Sequence, residues 1–225
     1  MKFIKVKNYK ELSKKSSEII IKEILKKPNL SLTLATGKTP KGLYKNLVKA
    51  YKNKKVDFSK LIFFNLDEFY PIKKTNKKSY YYYLHKNLFN KINIKKANIH
   101  LLNGETKNPQ KECKDYEQKV KKNKIDICIL GLGVNGHIAF NEPGSLVNSK
   151  TRLVNLKHKT ITNQALSQGI QTILSSRKII LLASGRKKSK SIKKLLDRKI
   201  TKEYPVTYLK KHKNLIVIAD KKTLS

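Results

Sequence analysis

Residues 130–144 read LGLGVNGHIAFNEPG, and this stretch combines a histidine, a carboxylate and closely spaced glycines. The imidazole of His137 can gain and lose a proton near neutral pH, which suits a general acid or base. Glu142 lies five residues further on and can orient the imidazole or share its proton. Asn135 can hold either group by hydrogen bonding. The stretch therefore predicts a proton-transfer site, against the simpler alternative of a structural histidine.

A second candidate for proton transfer is the acidic pair in DEFY, directly after the apolar run Leu61–Leu66. Adjacent residues on a strand point in opposite directions, so one of Asp67 and Glu68 can face a site while the other turns away to pair. A carboxylate that is partly buried at a strand end binds protons more tightly and can act as a general base. The alternative is an ordinary solvated turn.

The stretch TGKTPKGLY, after the apolar run Leu30–Ala35, is a candidate anion site. Gly37 permits a tight turn, Thr39 can cap a helix and Pro40 fits a first helical position. Free backbone N–H groups and the positive end of a helix would then meet at one point. The stretch is neither a Walker A nor a GxGxxG motif, so it implies no nucleotide.

The stretch GRKKSK places three cations at a predicted helix start. Gly185 marks a turn, and Arg186, Lys187 and Lys188 follow it. Cations at this end oppose the helix dipole, and a bound anion would offset that cost. In a chain so rich in lysine, the alternative is an unliganded surface. No HxH or HExxH spacing occurs, so we expect no metal site.

The elements that must position these residues are predicted from apolar runs that alternate with helical patterns. Runs of strand length occur at Phe3–Val6, Leu30–Ala35, Leu61–Leu66, Ile125–Gly131, Lys178–Ser184 and Leu215–Ala219. Helical patterns occur near residues 9–27, 40–53, 78–91, 107–122, 164–175 and 187–196. This alternation predicts an α/β fold with a doubly wound, mostly parallel, Rossmann-like sheet and helices on both faces. Ligands of such sheets bind beyond the carboxyl ends of the strands, where all four stretches lie. No linker divides the chain, so we expect one domain over residues 1–225.

The composition argues for a small anionic ligand and against nucleic acid as the main partner. Among 225 residues, 52 are Lys or Arg and 15 are Asp or Glu, which gives a net charge of +37. Only four of the basic residues are arginine, the side chain that contacts phosphate and guanine in a bidentate manner. The lysines are spread through nearly every polar segment, so the charge is a chain-wide bias that still favours an anionic substrate.

The sequence also predicts a cytoplasmic protein without a membrane span. It has no run of about 18 apolar residues, and its first residues lack the apolar core of a secretory signal. Its two cysteines, Cys113 and Cys128, form no disulfide framework.

Six stretches resemble one known family and occur in that family's order. They read LATGKTPKGLY, FFNLDEFY, SYYYYLHKNLF, LGLGVNGHIAFNEPG, LLASGRKKS and PVTYLKKHKNLIVIAD. They resemble the glucosamine-6-phosphate deaminase/isomerase family over almost the whole chain. The resemblance implies an enzyme that converts glucosamine 6-phosphate to fructose 6-phosphate and ammonia by ring opening and enolisation, without a metal or organic cofactor.

The resemblance also implies roles for the acid–base residues. Asp67 would take the proton from C2 of the substrate and return it to C1. His137 would act in ring opening, supported by Glu142. Asn135 stands where some members have Asp, and because Asn carries no charge, His137 would depend more on Glu142.

For the phosphate, the resemblance implies a cradle formed by Thr36, Gly37, Lys38 and Thr39. Lys188 matches the family's phosphate-binding lysine in a GxxK turn. Lys38 stands where Gly or Ser is usual and would add a further cation.

One departure concerns the lid over the site. Many members carry a phosphate-binding arginine after the histidine loop, but no arginine lies between Arg152 and Arg177 here. The resemblance therefore implies a shortened lid, with Lys38, Lys157 or Lys159 as candidate replacements. A galactosamine-6-phosphate deaminase, a 6-phosphogluconolactonase and a basic non-catalytic homologue remain the alternatives, and the oligomeric state is open.

Overall fold

The computed structural model describes residues 1–156 and 161–224. The strands within these residues are β1 (Lys2–Val6), β2 (Ser31–Leu34), β3 (Ile62–Asn65), β4 (Asp67–Tyr70), β5 (Ile99–His100), β6 (Ile127–Gly131), β7 (Arg152–Asn155), β8 (Gln164–Ser167), β9 (Lys178–Ala183) and β10 (Leu215–Asp220). The helices are α1 (Tyr9–Lys26), α2 (Lys41–Lys52), α3 (Tyr80–Asn87), α4 (Pro109–Asn123), α5 (Ile170–Leu174), α6 (Ser189–Leu196) and α7 (Lys221–Leu224).

The central sheet is parallel throughout its described strands, in the order β1–β10–β9–β6–β2–β3–β5. The predicted α/β class with a mostly parallel sheet is confirmed. Because β9, β6, β2 and β3 are consecutive neighbours, their carboxyl ends lie side by side at one edge. The four stretches with candidate chemistry follow these four strands.

Both faces of the central sheet are covered, which explains why its strands read as continuous apolar runs. All six residues of β10, LIVIAD, are buried. In β3, Phe63 packs toward Phe89 on one face, with ring centroids 5.3 Å apart. Its neighbour Phe64 packs on the other face against Tyr116 of α4, at 5.7 Å.

A small antiparallel sheet, in the order β4–β8–β7, lies beside the central sheet and was not predicted. The two sheets meet at Leu66, between β3 and β4. Its N–H donates to the Leu34 carbonyl at 3.2 Å, while its own carbonyl accepts from the N–H of Gln168 at 2.8 Å. The chain therefore leaves the central sheet at this residue, and Asp67 begins a strand where the sequence suggested a turn.

The predicted helix over 164–175 is wrong in its first half. Gln164–Ser167 forms β8 between β4 and β7, and only Ile170–Leu174 is helical. Pairing on both edges outweighs the local helical pattern here. At Gly169, which separates the two elements, a Cβ would lie 2.1 Å from the Ser149 carbonyl oxygen, so the backbones pack too closely for a side chain.

Other helix ends also differ from the predictions. Pro40 is the N-cap of α2, and no side chain caps this helix, so the predicted cap by Thr39 is wrong. The carbonyl of Pro40 instead accepts the first helical hydrogen bond, from Tyr44 at 3.0 Å. The predicted helix over 78–91 ends in a separate 3-10 turn at Phe89–Lys91. The predicted helix over 187–196 begins within a 3-10 turn at Arg186–Lys188 and is α-helical only from Ser189. No helix in the described part of the chain is long and apolar enough to cross a membrane.

Candidate active site

A cavity of about 530 Å³ opens beyond the carboxyl ends of β2, β3, β6 and β9. Seven of the nine predicted site residues line it: Thr36, Gly37, Lys38, Thr39, Asp67, His137 and Lys188. The other two, Asn135 and Glu142, lie behind His137. The described lining also includes Arg186 and Lys187 from the stretch GRKKSK, and Tyr80 and Phe140, which the sequence did not single out as site residues.

The turn after β2 presents free backbone donors to the cavity. Gly37 has φ +95°, which favours glycine. Hydroxyl groups hold the carbonyls of this turn: Tyr83 donates to Gly37 O at 2.6 Å, and Tyr9 donates to Lys38 O at 3.1 Å. Within the described residues, the N–H groups of 36–39 have no hydrogen-bond acceptor. Unpaired donors beside the start of α2 form a site for an anion.

A second turn brings cations to the same cavity. Gly185 has φ +93°, and the Asp220 carboxylate fixes this turn by accepting from Ser184 Oγ at 2.6 Å and from Gly185 N at 3.1 Å. The 3-10 turn that follows carries Lys188 to the cavity, where burial lowers the pKa of its amine. Asp220 is a supporting residue that the sequence did not reveal, because its partners come from a neighbouring strand end.

The cavity lining is strongly basic. The described lining holds one carboxylate, Asp67, and four basic side chains besides His137: Lys38, Arg186, Lys187 and Lys188. Lys157 and Lys159, the other candidate replacements for a lid arginine, lie outside the described residues. Such a lining attracts an anionic ligand and repels a cationic one.

Asp67 and its neighbour Glu68 point to opposite sides of β4. Asp67 is 7% exposed and lines the main cavity, whereas Glu68 is 1% exposed and borders a separate cavity of about 460 Å³. No hydrogen bond to the Asp67 carboxylate is found within the described residues. Burial, and secondarily the charge of Glu68, raises the pKa of Asp67 well above its usual range. Asp67 is therefore a carboxylate with high proton affinity, open to a ligand.

His137 is held by two acceptors on its Nδ1 side. Asn135 Oδ1 lies 2.8 Å from Nδ1 and accepts from the His137 backbone N–H at 3.2 Å, while Glu142 Oε1 lies 3.1 Å from Nδ1. Since a backbone N–H can only donate, the amide oxygen of Asn135 must face His137, and its Nδ2 donates to Glu142 at 2.6 Å. The proton of a neutral His137 therefore resides on Nδ1. This arrangement leaves Nε2 to exchange a proton with a ligand.

The glycines before His137 make room for its ring. A Cβ at Gly133 would lie 2.4 Å from atoms of the imidazole, so no larger residue fits without moving it. Gly131, Gly133 and Gly136 have the GxGxxG spacing of a dinucleotide loop. No helix follows them, however, so the helix N-terminus that binds pyrophosphate in such loops is missing here.

Tyr80 closes one wall of the cavity and is a residue that sequence reasoning missed. Its ring stacks on Phe140 at 6.1 Å and lies 4.9 Å from Phe69. Burial, and then the charge of Asp67, raises the pKa of Tyr80, so its hydroxyl stays protonated and can donate. The signal in the sequence was the run YYYY after Ser79, which does not show which tyrosine faces the site.

Within the described residues, no group of three His, Cys, Asp or Glu side chains is placed to hold a metal ion. The chemistry that the cavity residues themselves can supply is proton transfer at Asp67 and His137, beside donors and cations that can bind an anion.

Comparison with known proteins shows the family of this chain. A family model described as glucosamine-6-phosphate isomerases/6-phosphogluconolactonase matches residues 6–218. Glucosamine-6-phosphate deaminases from Clostridium novyi (strain NT) and Clostridium botulinum (strain Kyoto / Type A2) are each 46% identical over 239 aligned residues. These alignments cover 100% of this chain and 99% and 98% of the relatives.

Solved structures of the same two kinds of enzyme are also similar to this chain. A monomeric glucosamine-6-phosphate deaminase superposes with a TM-score of 0.97 at 34% identity, covering 100% of both chains. The 6-phosphogluconolactonase from Trypanosoma cruzi superposes with a TM-score of 0.84 at 23% identity, covering 99% of this chain and 95% of that one. The second likeness shows a shared fold.

Proposed function

Because the chain belongs to the glucosamine-6-phosphate isomerase/6-phosphogluconolactonase family, we propose that it is a glucosamine-6-phosphate deaminase. The observation that carries this proposal is the convergence of Asp67, His137 and the anion-binding turns on one cavity. The substrate bears a phosphate, a ring oxygen that must be protonated and an acidic C–H bond, and each has a matching group in this cavity.

The phosphate is assigned to the turn at residues 36–39 and to Lys188. Four backbone N–H groups without acceptors and a partly desolvated ammonium would bind its oxygens by charge-assisted hydrogen bonds. This contact is the same in the substrate and the transition state. It therefore contributes to binding and orientation more than to the chemical step.

Ring opening is assigned to His137. Its Nε2 exchanges a proton between the C1 hydroxyl and the ring oxygen, which breaks the C1–O5 bond and leaves an open-chain aldehyde. Glu142 and Asn135 accept from Nδ1 and stabilise the imidazolium that forms transiently. Because Asn135 is neutral, Glu142 supplies the negative charge for this role.

Proton transfer between carbons is assigned to Asp67. Its carboxylate takes the proton from C2 of the open chain while O1 gains a proton from the substrate's own ammonium group, which gives an enolamine, and it then returns the C2 proton to C1. The product is an imine at C2, to which water adds so that ammonia leaves and fructose 6-phosphate remains. The raised pKa of Asp67 suits this step, since a more basic carboxylate removes a carbon-bound proton more readily.

Two related enzyme activities are the alternatives. A galactosamine-6-phosphate deaminase would use the same residues on the C4 epimer of the sugar. A 6-phosphogluconolactonase would hydrolyse an ester and would not need a base at C2. The 46% identity to curated deaminases, against 23% to the lactonase from Trypanosoma cruzi, favours deamination.

The direct test is ammonia release by the purified protein from glucosamine 6-phosphate and, side by side, from galactosamine 6-phosphate. We expect equal amounts of ammonia and fructose 6-phosphate from the glucosamine substrate. Hydrolysis of 6-phosphogluconolactone without release of ammonia from either amino sugar would contradict the proposal. Release of ammonia from the galactosamine substrate alone would support the proposed reaction but would change the assigned substrate to the C4 epimer.

The same proposal includes a single domain over residues 1–225 and a cytoplasmic location. The cavity wall draws on residues from Ala35 to Lys188, which supports one folding unit. Cys113 and Cys128 are both buried and unpaired, which suits a reducing compartment.

A further inference from the structure

We propose that Glu68 is a positioning residue of this site: its carboxylate holds Tyr80 at the cavity wall and places a second negative charge behind Asp67. The inference rests on the proposed function, because it takes Asp67 as the base. It assigns a task to a buried acidic residue that lies outside the catalytic cavity and that the proposed mechanism does not use.

The Glu68 carboxylate is bound by three backbone N–H groups. Its Oε1 accepts from Phe69 at 2.9 Å and from Tyr80 at 2.8 Å, and its Oε2 accepts from Tyr81 at 2.8 Å. No ion pair to Glu68 is found in the described part of the chain, and its side chain is almost fully buried. A carboxylate in this place satisfies donors at the first turn of α3 and interacts favourably with the helix dipole.

This contact fixes α3 relative to β4 at the point where Tyr80 enters the cavity. Glu68 and Asp67 are adjacent on β4, so the residue that anchors the helix is bonded directly to the proposed base. The Tyr80 ring is then packed between Phe69 and Phe140, at centroid distances of 4.9 and 6.1 Å. If the anchor is loosened, the start of α3 can shift and Tyr80 loses its place on the wall.

The charge of Glu68 acts on Asp67 as well. After burial, it is the second cause that raises the pKa of Asp67. Burial also raises the pKa of Glu68 itself, and the three N–H groups that it accepts from act against that rise and favour its charged form. Tyrosines near Asp67 add no charge at neutral pH, since burial raises the pKa of each; they are Tyr44 from α2, Tyr80 from α3 and Tyr116 from α4. The other titratable groups that line the described part of the cavity are basic and add no negative charge: His137, Lys38, Arg186, Lys187 and Lys188. Within the described residues, Glu68 is therefore the carboxylate whose charge makes Asp67 more basic.

Two substitutions of Glu68 test separately its hydrogen bonds to the start of α3 and its negative charge. Glu68→Gln keeps the length of the side chain and one carbonyl oxygen to accept from Phe69 and Tyr80, but it removes the charge and the acceptor for Tyr81. Glu68→Asp keeps the charge but is one methylene too short to reach Tyr80 and Tyr81 in the same way. Glu105→Gln is the matched control, because Glu105 borders the same second cavity but is exposed.

The readout is the pH dependence of kcat/KM for deamination of glucosamine 6-phosphate, together with kcat at the pH optimum. For Glu68→Gln we expect the acidic limb of the profile, which reports ionisation of the base, to shift down by about 0.5–1 pH unit. For Glu68→Asp we expect that limb to stay in place while kcat falls about tenfold to a hundredfold. The profile of Glu105→Gln should match the wild type.

A merely structural role for Glu68 would lower the melting temperature of both variants without moving the acidic limb. An unmoved limb in a folded Glu68→Gln enzyme, or a normal kcat in Glu68→Asp, would overturn the inference. Failure of both variants to fold would also overturn it, by showing that Glu68 is required for the fold itself. Failure of the proposed function is recognised separately, because the wild type would then release no ammonia.

Discussion

The replacement Asp67→Asn should abolish catalysis while making the folded protein more stable. The Asp67 side chain is 7% exposed, and no hydrogen bond to its carboxylate is found within the described residues. Burial raises its pKa in the folded state. The ionised carboxylate is therefore held in an unfavourable place, as is common for residues selected for catalysis. Asparagine has nearly the same shape and removes the charge.

The expected gain in stability of the Asp67→Asn variant depends on pH. Because the folded-state pKa is raised, ionisation of Asp67 favours the unfolded chain. The wild type thus loses stability as the pH rises from the unfolded-state pKa of about 3.9 through the folded-state pKa. At pH 8 the variant should be more stable by about 1–2 kcal/mol, within the range for a buried polar group without a partner. For a chain of this size, each kcal/mol corresponds to about 2–4 °C in Tm. Below about pH 4 the two proteins should melt alike.

Activity should change in the opposite direction. Loss of a general base costs about 10²–10⁴-fold in kcat, and exchange of the C2 proton of glucosamine 6-phosphate with deuterated water should cease. NMR of the substrate in deuterated water measures the exchange, and calorimetry at pH 4 and pH 8 measures the stability. Normal exchange would remove Asp67 from the mechanism. A lower Tm at pH 8 than in the wild type would refute the view that this carboxylate is strained in the fold.

Three further substitutions test other parts of the account. Lys188→Ala should raise KM about ten- to a hundredfold with kcat little changed, because phosphate binding is shared by ground and transition states; an unchanged KM in steady-state assays would place the phosphate elsewhere. Gly133→Ala should lower kcat at least about tenfold, since its Cβ would lie 2.4 Å from the His137 ring; a fully active variant would show that the imidazole can move freely. Asp126→Asn should lower Tm by about 4–8 °C while the enzyme stays active, because it removes a carboxylate that accepts from Lys27 at 2.8 Å and Arg177 at 3.2 Å. For this last variant, calorimetry that shows no loss of stability would mean that the ion pairs contribute nothing.

The central sheet could be predicted because each of its main strands carries its own signal. β6, β9 and β10 are short, continuous apolar runs, and their alternation with helices implies parallel pairing. Parallel pairing places the carboxyl ends at one edge. Asp67, His137 and Lys188, which are far apart in the sequence, could therefore be expected near one another before any coordinates were known.

The small antiparallel sheet could not be predicted, because its strands depend on partners distant in sequence. β8 has only four residues, and its pairing with β4 joins Asp67 to Ser167, a hundred residues apart. Local pattern favoured a helix there, and the two neighbouring strands outweighed it. The sequence alone did not show that DEFY forms a strand in this sheet. The opposite orientations of Asp67 and Glu68 were therefore predicted only from the general alternation of side chains along a strand.

The residues that form and support the cavity walls could not be predicted from the sequence either. Tyr80 faces the cavity because Glu68 holds the start of α3, and nothing in the run YYYY distinguishes it from its neighbours. Asp220 supports the turn before Lys188 through hydrogen bonds from Ser184 and Gly185, which lie on an adjacent strand end. Such contacts depend on how elements pack, which local sequence does not specify.

The most direct measurement is a crystal structure of the protein with the open-chain, reduced analogue of glucosamine 6-phosphate, which cannot undergo proton transfer between C1 and C2. The account predicts the phosphate on the N–H groups of residues 36–39 and on Lys188, with C2 about 3–3.5 Å from the Asp67 carboxylate and O5 beside His137 Nε2. A ligand bound outside this cavity, or one bound in it with C2 turned away from Asp67, would contradict the account.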